Sequence, residues 1–233
     1  MLNLVTVCTD RFPMIYAEKL HNRFREVSSL DVAHYCITDR PTQTHDWATA
    51  ITPDKKSSGW WNKLNLFSPS MPEGYILYLD LDIVIIESFD EEIAHTVDQG
   101  HDISCVSDAI NWMNVKFSSS LMIFKSGSQT KLFERFINAD KSLETRAGGD
   151  QVWMGPQLTS INYIDDIFPN LKRNFKFHLA KKDGDNLSVP MKLPHGVKLV
   201  DCTGNPKPHE LEKLPYIKEN WHDVKTSLSS FAA

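Results

Sequence analysis

The sequence contains no long apolar run, little cysteine and no excess of positive charge, and each absence excludes a class of protein. No hydrophobic segment reaches the roughly 20 apolar residues of a membrane-spanning helix. The four cysteines among 233 residues lie far apart without a Cys-x-x-Cys pair, which disfavours a disulfide framework or a zinc ribbon and favours reduced thiols in the cytoplasm. The net charge of −5 disfavours nucleic-acid binding, because a polyanion requires a basic surface.

The chain has the composition of an ordinary globular protein, with 41% hydrophobic and 24% charged residues. Its length suits one large α/β domain or two small ones, and no repeat or low-complexity linker divides it. The first seven residues lack the basic region and cleavage site of a signal peptide, so we predict that they form a β-strand.

Short strands alternate with helices along the chain, which predicts an α/β fold. Predicted strands are 2–7, 32–37, 75–79, 83–86, 103–106, 120–124 and 197–201, and predicted helices are 13–27, 60–67, 128–138 and 149–157. Because the early strands are almost continuously apolar, we expect a mostly parallel sheet with helices on both faces. Ligands of such sheets bind beyond the carboxyl ends of the strands. Polar side chains follow three of these strands, namely Thr9 and Asp10, Asp39, and the pair Asp80 and Asp82.

Asp80 and Asp82 interrupt the otherwise apolar segment 75–86. An ionised carboxylate is costly to bury unless it is paired or binds a metal. Two residues apart at a strand end, the two carboxylates can converge on one cation, and their oxygens suit Mg²⁺ or Mn²⁺. The alternative, that both acids are simply solvated, is disfavoured because the apolar run resumes at Ile83.

Four further blocks accompany this D-x-D motif in order along the chain. They are Trp61-Asn62-Lys63-Leu64, the segment 117–123 (Phe-Ser-Ser-Ser-Leu-Met-Ile), Gly149-Asp150-Gln151, and the segment 204–209 (Gly-Asn-Pro-Lys-Pro-His). In these blocks the sequence resembles the GT-A glycosyltransferases, particularly the family-8-like group of glycogenin and bacterial galactosyltransferases. The resemblance implies a GT-A fold, a mostly parallel mixed sheet flanked by helices, as a single catalytic domain over residues 1–233.

By the same resemblance the protein is a metal-dependent glycosyltransferase, specifically a retaining hexosyltransferase. It implies Mn²⁺ or Mg²⁺ as cofactor and a nucleotide-diphosphate sugar, most simply a UDP-sugar, as donor. The acceptor is left open as a glycan, a lipid or a small molecule. No nucleic-acid partner and no integral membrane segment are expected.

The resemblance also assigns roles to individual residues. Asp150 and Gln151 take the catalytic positions, and the donor-binding residues are Thr9, Asp10, Asp39, Lys63, Leu81, Ser119 and Lys207. Asp80 and Asp82 bind the cation, and Asp201 stands where the family has a histidine as third metal ligand, with His209 as a second choice for that position. For several of these residues a purely structural role is the alternative: the lysines as solvated charges, Ser119 as a strand residue, and Thr9 with Asp10, or Asp150, as a helix cap.

Two other functions remain open on sequence alone. Asp80-Leu81-Asp82-Ile83-Val84 also fits the motif of haloacid-dehalogenase-like phosphohydrolases, in which the first aspartate is a phosphoryl-accepting nucleophile. That motif usually lies near the N-terminus, whereas here 79 residues precede it. The changed third-ligand position allows a non-catalytic relative that binds nucleotide sugars without turnover.

Overall fold

A seven-stranded sheet forms the centre of the structure, a computed structural model that describes residues 1–9, 12–44, 46–183 and 186–221. The strands are β1 (Leu2–Val7), β2 (Val32–Ile37), β3 (Thr49–Ile51), β4 (Tyr75–Leu79), β5 (Ile83–Ile85), β6 (Ile103–Ser107), β7 (Phe117–Lys125), β8 (Asn162–Tyr163), β9 (Lys172–Asn174), β10 (Lys181–Asp183), β11 (Asn186–Ser188) and β12 (Leu199–Asp201). The α-helices are α1 (Met14–Val27), α2 (Asp90–Gln99), α3 (Thr130–Ile137), α4 (Gly149–Met154), α5 (Ile164–Ile167) and α6 (Pro215–Lys218).

The central sheet is mixed, with the order β3-β2-β1-β4-β7-β6-β8. Strands β3, β2, β1 and β4 run parallel, β7 is antiparallel to both β4 and β6, and β8 is parallel to β6. The predicted α/β fold with a mostly parallel sheet is therefore confirmed. Since β7 runs against β4, its first residues lie beside the carboxyl end of β4, where Leu79 pairs with Leu121.

A smaller sheet, β5-β12-β9, brings distant segments to the end of β4. Asp201 of β12 pairs with Ile83 of β5 and with Asn174 of β9, and the backbone N–H of Cys202 donates to the carbonyl of Asp82 at 3.0 Å. The end of β12 is thereby held against the acidic pair. Cys202 itself is buried.

The predicted helix 60–67 is wrong in type, because residues Gly59–Phe67 form a 3₁₀ helix. In this winding residues three apart lie above one another, which aligns Asn62 with Asn65. The Asn62 carboxamide accepts from the N–H of Ser57 at 2.9 Å, and that of Asn65 accepts from the N–H of Lys55 at 2.9 Å. The segment is thus held by its preceding loop as well as by its apolar residues.

The element ends are otherwise close to the predictions, with one larger difference at β7. This strand begins at Phe117, three residues before its predicted start, and residues 117–124 are all buried. Apolar alternation misses this start because three serines lie there, and the hydroxyls of Ser118 and Ser120 satisfy each other at 3.0 Å. Burial of hydrogen-bonded hydroxyls costs little.

Two expectations concern membrane-spanning helices and the state of the cysteines in the part of the chain that the structure describes. None of the helices there combines the length and apolarity required to cross a membrane. All four cysteines are buried and free. The cytoplasmic location stays a prediction.

Buried His21 contacts half-buried His34 between α1 and strands β1 and β2. Nε2 of His21 lies 2.9 Å from Oγ1 of Thr6, and Nδ1 of His21 lies 2.7 Å from Nδ1 of His34. Burial, with repulsion from His34 and then Arg25, lowers the pKa of His21 well below its usual range. Burial and the charge of Arg25 lower the pKa of His34 to about 4. Both rings are therefore neutral in the folded protein at pH 7.

We expect the protein to be fully stable above about pH 6.5 and to lose stability as the pH falls, because the unfolded chain binds protons that folded His21 does not. For His21 alone the free energy of unfolding should fall by about 1.4 kcal/mol per pH unit between about pH 6.5 and 5. Urea unfolding across this range measures the slope. His21→Gln should reduce the slope by this amount and leave the contribution of His34, whereas His101→Gln, at an exposed histidine, should not change it. Equal slopes in both variants would contradict the assignment.

Candidate active site

A cleft of about 1120 Å³ opens where β4, β9 and β12 end and β7 begins. Its walls include Thr9 after β1, the D-x-D motif after β4, the serines of β7 and the first turn of α4. The volume lies at the upper end of typical small-molecule sites, about 300–1,000 Å³. The cleft therefore has room for more than one small substrate.

Lys63 stands at the centre of the first charged group in this cleft. Its Nζ lies 2.9 Å from Oδ1 of Asp80, 3.3 Å from Oδ2 of Asp150 and 2.9 Å from Oγ of Ser119. Ser119 in turn donates to Oδ2 of Asp150 at 2.9 Å, and the Tyr78 hydroxyl donates to Oδ1 of Asp80. Residues from four separate blocks of the sequence thus form one contiguous network.

Burial alone would lower the pKa of Lys63, but the carboxylates of Asp150 and Asp80 outweigh it and raise this pKa. Lys63 is therefore a permanently charged ammonium. Its side chain is only 7% exposed, which excludes the alternative of a solvated surface lysine. A buried cation between two carboxylates also fixes the positions of both acids relative to each other.

Asp82 forms the second charged group, with Lys207. Lys207 lies in the loop after β12, and its ammonium donates to Oδ2 of Asp82. Burial, and then repulsion from Asp80 and Asp201, raises the pKa of Asp82 against the opposing effect of Lys207. Negative charge is thus concentrated here beyond what the nearby lysine neutralises.

Asp201 and Lys172 form the third charged group. Nζ of Lys172 lies 2.7 Å from Oδ2 of Asp201 and 2.7 Å from Oγ of Ser120. Burial opposes the ionisation of Asp201, but Lys172 and the hydrogen bonds from Thr203 outweigh it and lower the pKa of Asp201. The sequence analysis missed Lys172, because β9 was not predicted and the Lys172-Arg173 pair cannot be distinguished from ordinary surface charges.

The second catalytic candidate, Gln151, joins α4 to the loop after β6. Its Nε2 donates to Oδ2 of Asp108 at 2.8 Å, and its Oε1 lies 3.4 Å from the N–H of Ser119. Oδ1 of Asp108 accepts from the N–H groups of Ile110 and Trp112, at 3.0 and 2.9 Å. The sequence analysis did not identify Asp108, whose only signal was its position after a predicted strand.

Two glycines hold Asp150 at the cleft. Gly148 (φ 83°) and Gly149 (φ 65°) are both left-handed, which favours glycine. A Cβ on Gly149 would lie 2.6 Å from Nε1 of Trp60, so the indole packs directly on the turn. Gly148 is the N-cap residue of α4. Asp150 lies in the first turn, where its carboxylate pairs with Lys63 and accepts a hydrogen bond from Ser119. The helix-cap alternative for Asp150 is therefore excluded.

Of the other predicted site residues, some lie in the cleft and others do not. Thr9 lies in the cleft and its Oγ1 accepts from Asn62 at 3.0 Å, and Leu81 lies in the cleft wall with a buried side chain. His209 also lies at the cleft, where the Tyr16 hydroxyl contacts its Nδ1. Asp39 is absent from the described cleft wall and pairs with Lys56 at 3.2 Å. Asp10 lies outside the described residues.

Aromatic side chains form an exposed rim on one side of the cleft. Trp60 is 47% exposed, Trp112 is 52% exposed and Phe177 is 45% exposed, and all three border the cleft. Trp112 is presented by a segment in which Asn111, Met113 and Asn114 all have positive φ. Such conformations are unfavourable for residues other than glycine and persist where the surroundings enforce them. Here the Asp108 carboxylate holds the backbone N–H groups of Ile110 and Trp112.

The fit of a divalent cation can be judged from the carboxylate oxygens that remain available. Among the described residues no group of three His, Cys, Asp or Glu side chains is arranged around a common metal position. Lys63 and Tyr78 contact only Oδ1 of Asp80, and Lys207 contacts only Oδ2 of Asp82. Each of these two acids has one carboxylate oxygen to which no described residue donates a hydrogen bond. Two carboxylates fit a cation that is otherwise bound by substrate phosphates.

Several solved structures resemble this one. The galactosyltransferase LgtC, crystallised with donor and acceptor sugar analogues, matches with a TM-score of 0.62 at 11% identity, over 96% of this chain and 98% of LgtC. The glycosyltransferase GlyE of Streptococcus pneumoniae TIGR4 matches with a TM-score of 0.61 at 11% identity, over 96% of this chain and 62% of GlyE. No protein-family model and no curated protein sequence matches the chain.

At these identities the similarity concerns the fold. It covers nearly the whole described chain and nearly all of LgtC. The chain therefore has the GT-A fold of these glycosyltransferases.

Proposed function

We propose that this protein is a glycosyltransferase that moves a hexosyl group from a nucleotide-diphosphate sugar, most simply a UDP-sugar, to a hydroxyl-bearing acceptor. The observation that carries the proposal is the convergence of the D-x-D acids, Lys63, Lys207 and Asp150 in one cleft of a GT-A fold. LgtC, with the same fold, was crystallised with donor and acceptor sugar analogues. The family-8-like assignment and anomeric retention extend the proposal and are supported by the ordered sequence blocks.

Asp80 and Asp82 hold a divalent cation in this proposal, through the oxygens that the lysines leave available. When bound, Mn²⁺ or Mg²⁺ stabilises the negative charge that gathers on the departing diphosphate. Lys207, 23% exposed in its pair with Asp82, adds a fixed positive charge at the same place. The buried Lys63 orders Asp80 and Asp150, so that one lysine sets the spacing between the phosphate side and the sugar side.

Asp150 and Gln151 face the transferred sugar in this proposal. A carboxylate there stabilises the positive charge that develops at the anomeric carbon, and the Gln151 carboxamide offers hydrogen bonds to sugar hydroxyls. Ser119, bonded to both Lys63 and Asp150, completes this side. Thr9, to which Asn62 donates at 3.0 Å, lies in the cleft wall after β1 and binds the donor in this proposal.

The acceptor enters along the aromatic rim in this proposal. Trp60 packs on the Gly149 turn directly before Asp150, and Trp112 is tied through Asp108 to Gln151. Exposed aromatic surface beside polar groups is typical of ligand sites. The rim therefore places an acceptor next to the two catalytic candidates.

The phosphohydrolase alternative is not favoured. The phosphohydrolase motif usually lies near the N-terminus, whereas here strands β1 to β4 precede Asp80. LgtC and GlyE, which share the fold, are glycosyltransferases. Hydrolysis of a generic phosphomonoester that is lost in Asp80→Asn would restore this alternative.

A thermal-shift panel tests the proposed function directly. We expect one nucleotide sugar, with Mn²⁺ present, to raise the melting temperature, because a ligand at about 100 times its Kd stabilises the folded state by about 2.7 kcal/mol. The same nucleotide sugar should then be turned over, which release of the nucleoside diphosphate measures. Sugar 1-phosphates and nucleoside monophosphates serve as matched controls and should shift the melting temperature less.

Two results separate the proposals. Binding of a nucleotide sugar without turnover, with a panel of glycan, lipid and small-molecule acceptors, would support the non-catalytic relative. No response to any nucleotide or nucleotide sugar, with or without Mn²⁺, would overturn the assignment of the cleft.

A further inference from the structure

The pair of Lys172 and Asp201 is the most deeply buried ion pair in the cleft. The side chains are 6% and 4% exposed. Lys172 donates to Oδ2 of Asp201. Oδ1 of Asp201 accepts from the backbone N–H of Thr203, at 2.9 Å, and from the Thr203 hydroxyl. Both oxygens of Asp201 are therefore already in use.

This arrangement differs from that of the two acids of the D-x-D motif. Asp80 and Asp82 each keep one oxygen without a hydrogen bond from the described chain, whereas Asp201 keeps none. Lys172 is also held by Ser120, whose carbonyl accepts from the N–H of Asp80 at 2.8 Å. The ammonium is thus anchored to Ser120, the same β7 residue that binds the backbone of Asp80.

Resting on the function proposed above, we propose that Lys172 withholds Asp201 from the divalent cation, so that the cation and the nucleotide diphosphate bind this protein together. With only two protein carboxylates available, the remaining coordination positions of the cation are filled by phosphate oxygens and water. A fixed ammonium close by also opposes binding of the cation alone, because like charges repel. The donor's diphosphate removes that opposition, because it brings negative charge that both cations share.

The consequence is a thermodynamic coupling between two ligands. Mn²⁺ alone should bind wild-type protein weakly, and UDP should increase its affinity strongly. Lys172 is a positioning residue in this proposal, since it acts on the cation through Asp201. Its replacement should therefore change metal affinity in the absence of any nucleotide, which a merely structural lysine would not do.

The test is calorimetric titration with MnCl₂ alone, with UDP alone and with both, on the intact chain. In Lys172→Met the released Asp201 carboxylate becomes available, and we expect Mn²⁺ alone to bind about 10- to 100-fold more tightly than to wild type. The increase in Mn²⁺ affinity caused by UDP should shrink in the same variant. Circular dichroism checks that the variant folds, and Lys172→Gln, which retains a polar group for Ser120, replaces it if it does not.

Two matched controls assign the effect to Asp201. The double variant Lys172→Met with Asp201→Asn removes both charges, so the gain in Mn²⁺ affinity should disappear, whereas binding of Mn²⁺ together with UDP should persist. Lys198→Met removes a lysine from a comparable pair, in which Nζ lies 2.8 Å from Glu92 outside the described cleft wall. It should leave all three titrations unchanged.

Three outcomes would overturn the inference. They are a wild-type protein that binds UDP but has the same affinity for Mn²⁺ with and without it, a folded Lys172 variant that binds Mn²⁺ alone no more tightly than wild type, and loss of joint Mn²⁺ and UDP binding in the double variant. The last would show that Asp201 is itself a cation ligand. Failure of the proposed function is distinct, because it means that no nucleotide binds, and the comparison of Mn²⁺ alone between wild type and Lys172→Met still decides the role of Lys172.

Discussion

Asp82→Asn should reduce turnover of the nucleotide sugar by about a thousandfold, which corresponds to the several kcal/mol that a bound cation contributes to a transition state. The substitution keeps the shape of the side chain and removes the negative charge that the cation and Lys207 face. Release of nucleoside diphosphate at saturating Mn²⁺ measures the loss. Raising the Mn²⁺ concentration should not restore activity, since the amide lacks the charge.

The same variant should be as stable as wild type or more stable. Asp82 is buried, and the charges of Asp80 and Asp201 repel it, so its ionised form is unfavourable in the folded protein. Loss of activity without loss of melting temperature would therefore distinguish a site residue from a structural one. Such a combination is common where a site holds groups that folding does not favour.

Asp166→Asn serves as the matched control. Asp166 is 65% exposed and contacts Lys116 at 3.2 Å on the surface. Neither turnover nor stability should change, because exposed ion pairs contribute at most about 1 kcal/mol. Full activity of Asp82→Asn would remove Asp82, and with it the cation, from the proposed chemistry.

Lys63→Met should abolish transfer and also destabilise the fold. The substitution fills a similar volume but leaves the carboxylates of Asp150 and Asp80 without their common cation. Removing one partner of a buried ion pair costs about 3–5 kcal/mol, since the remaining charge stays buried. Urea unfolding measures this cost, and nucleoside diphosphate release measures transfer.

A second substitution separates charge from packing. In Lys63→Met with Asp150→Asn one of the unpaired carboxylates is gone, so part of the lost stability should return while activity stays absent. If the double variant were no more stable than Lys63→Met, lost packing rather than unpaired charge would explain the effect.

Lys55→Met is the control for a lysine with many hydrogen bonds but no buried acid. Its Nζ donates to the carbonyls of Phe136, Ile137 and Ala139 at 2.7 to 3.2 Å, at the end of α3. We expect a loss of about 1 kcal/mol for these bonds and no change in turnover. A loss of turnover as large as that of Lys63→Met would mean that activity follows stability alone.

Much of the fold could be predicted because its signals are local. Five apolar residues followed by Asp80, Leu81 and Asp82 predict a buried strand with two acids at its end, and that strand is β4. The Gly148-Gly149 pair predicts a turn before Asp150, and both glycines are left-handed. These predictions depend on neighbouring residues, whose spacing the backbone geometry converts directly into structure.

The partners of the site residues could not be predicted, because they come from segments far apart in the chain. Lys172 and Asp201 are 29 residues apart, and Lys207 and Asp82 are 125 residues apart. Nothing in the local sequence distinguishes Lys172, held in the cleft by β9, from the exposed lysines. The helix type of Gly59–Phe67 was missed for a related reason, since contacts of Asn62 and Asn65 with the preceding loop decide it.

The sequence by itself determined that an α/β sheet would carry a pair of acids at a strand end, because apolar runs and their interruptions are local properties. Only the tertiary structure decided which charge meets which. In the folded chain Asp80 pairs with Lys63, Asp82 with Lys207 and Asp201 with Lys172. The physical reason is burial. A buried carboxylate requires a cation beside it, and the packing of segment 59–67, β9 and the loop after β12 around the end of β4 decides which lysine is within reach.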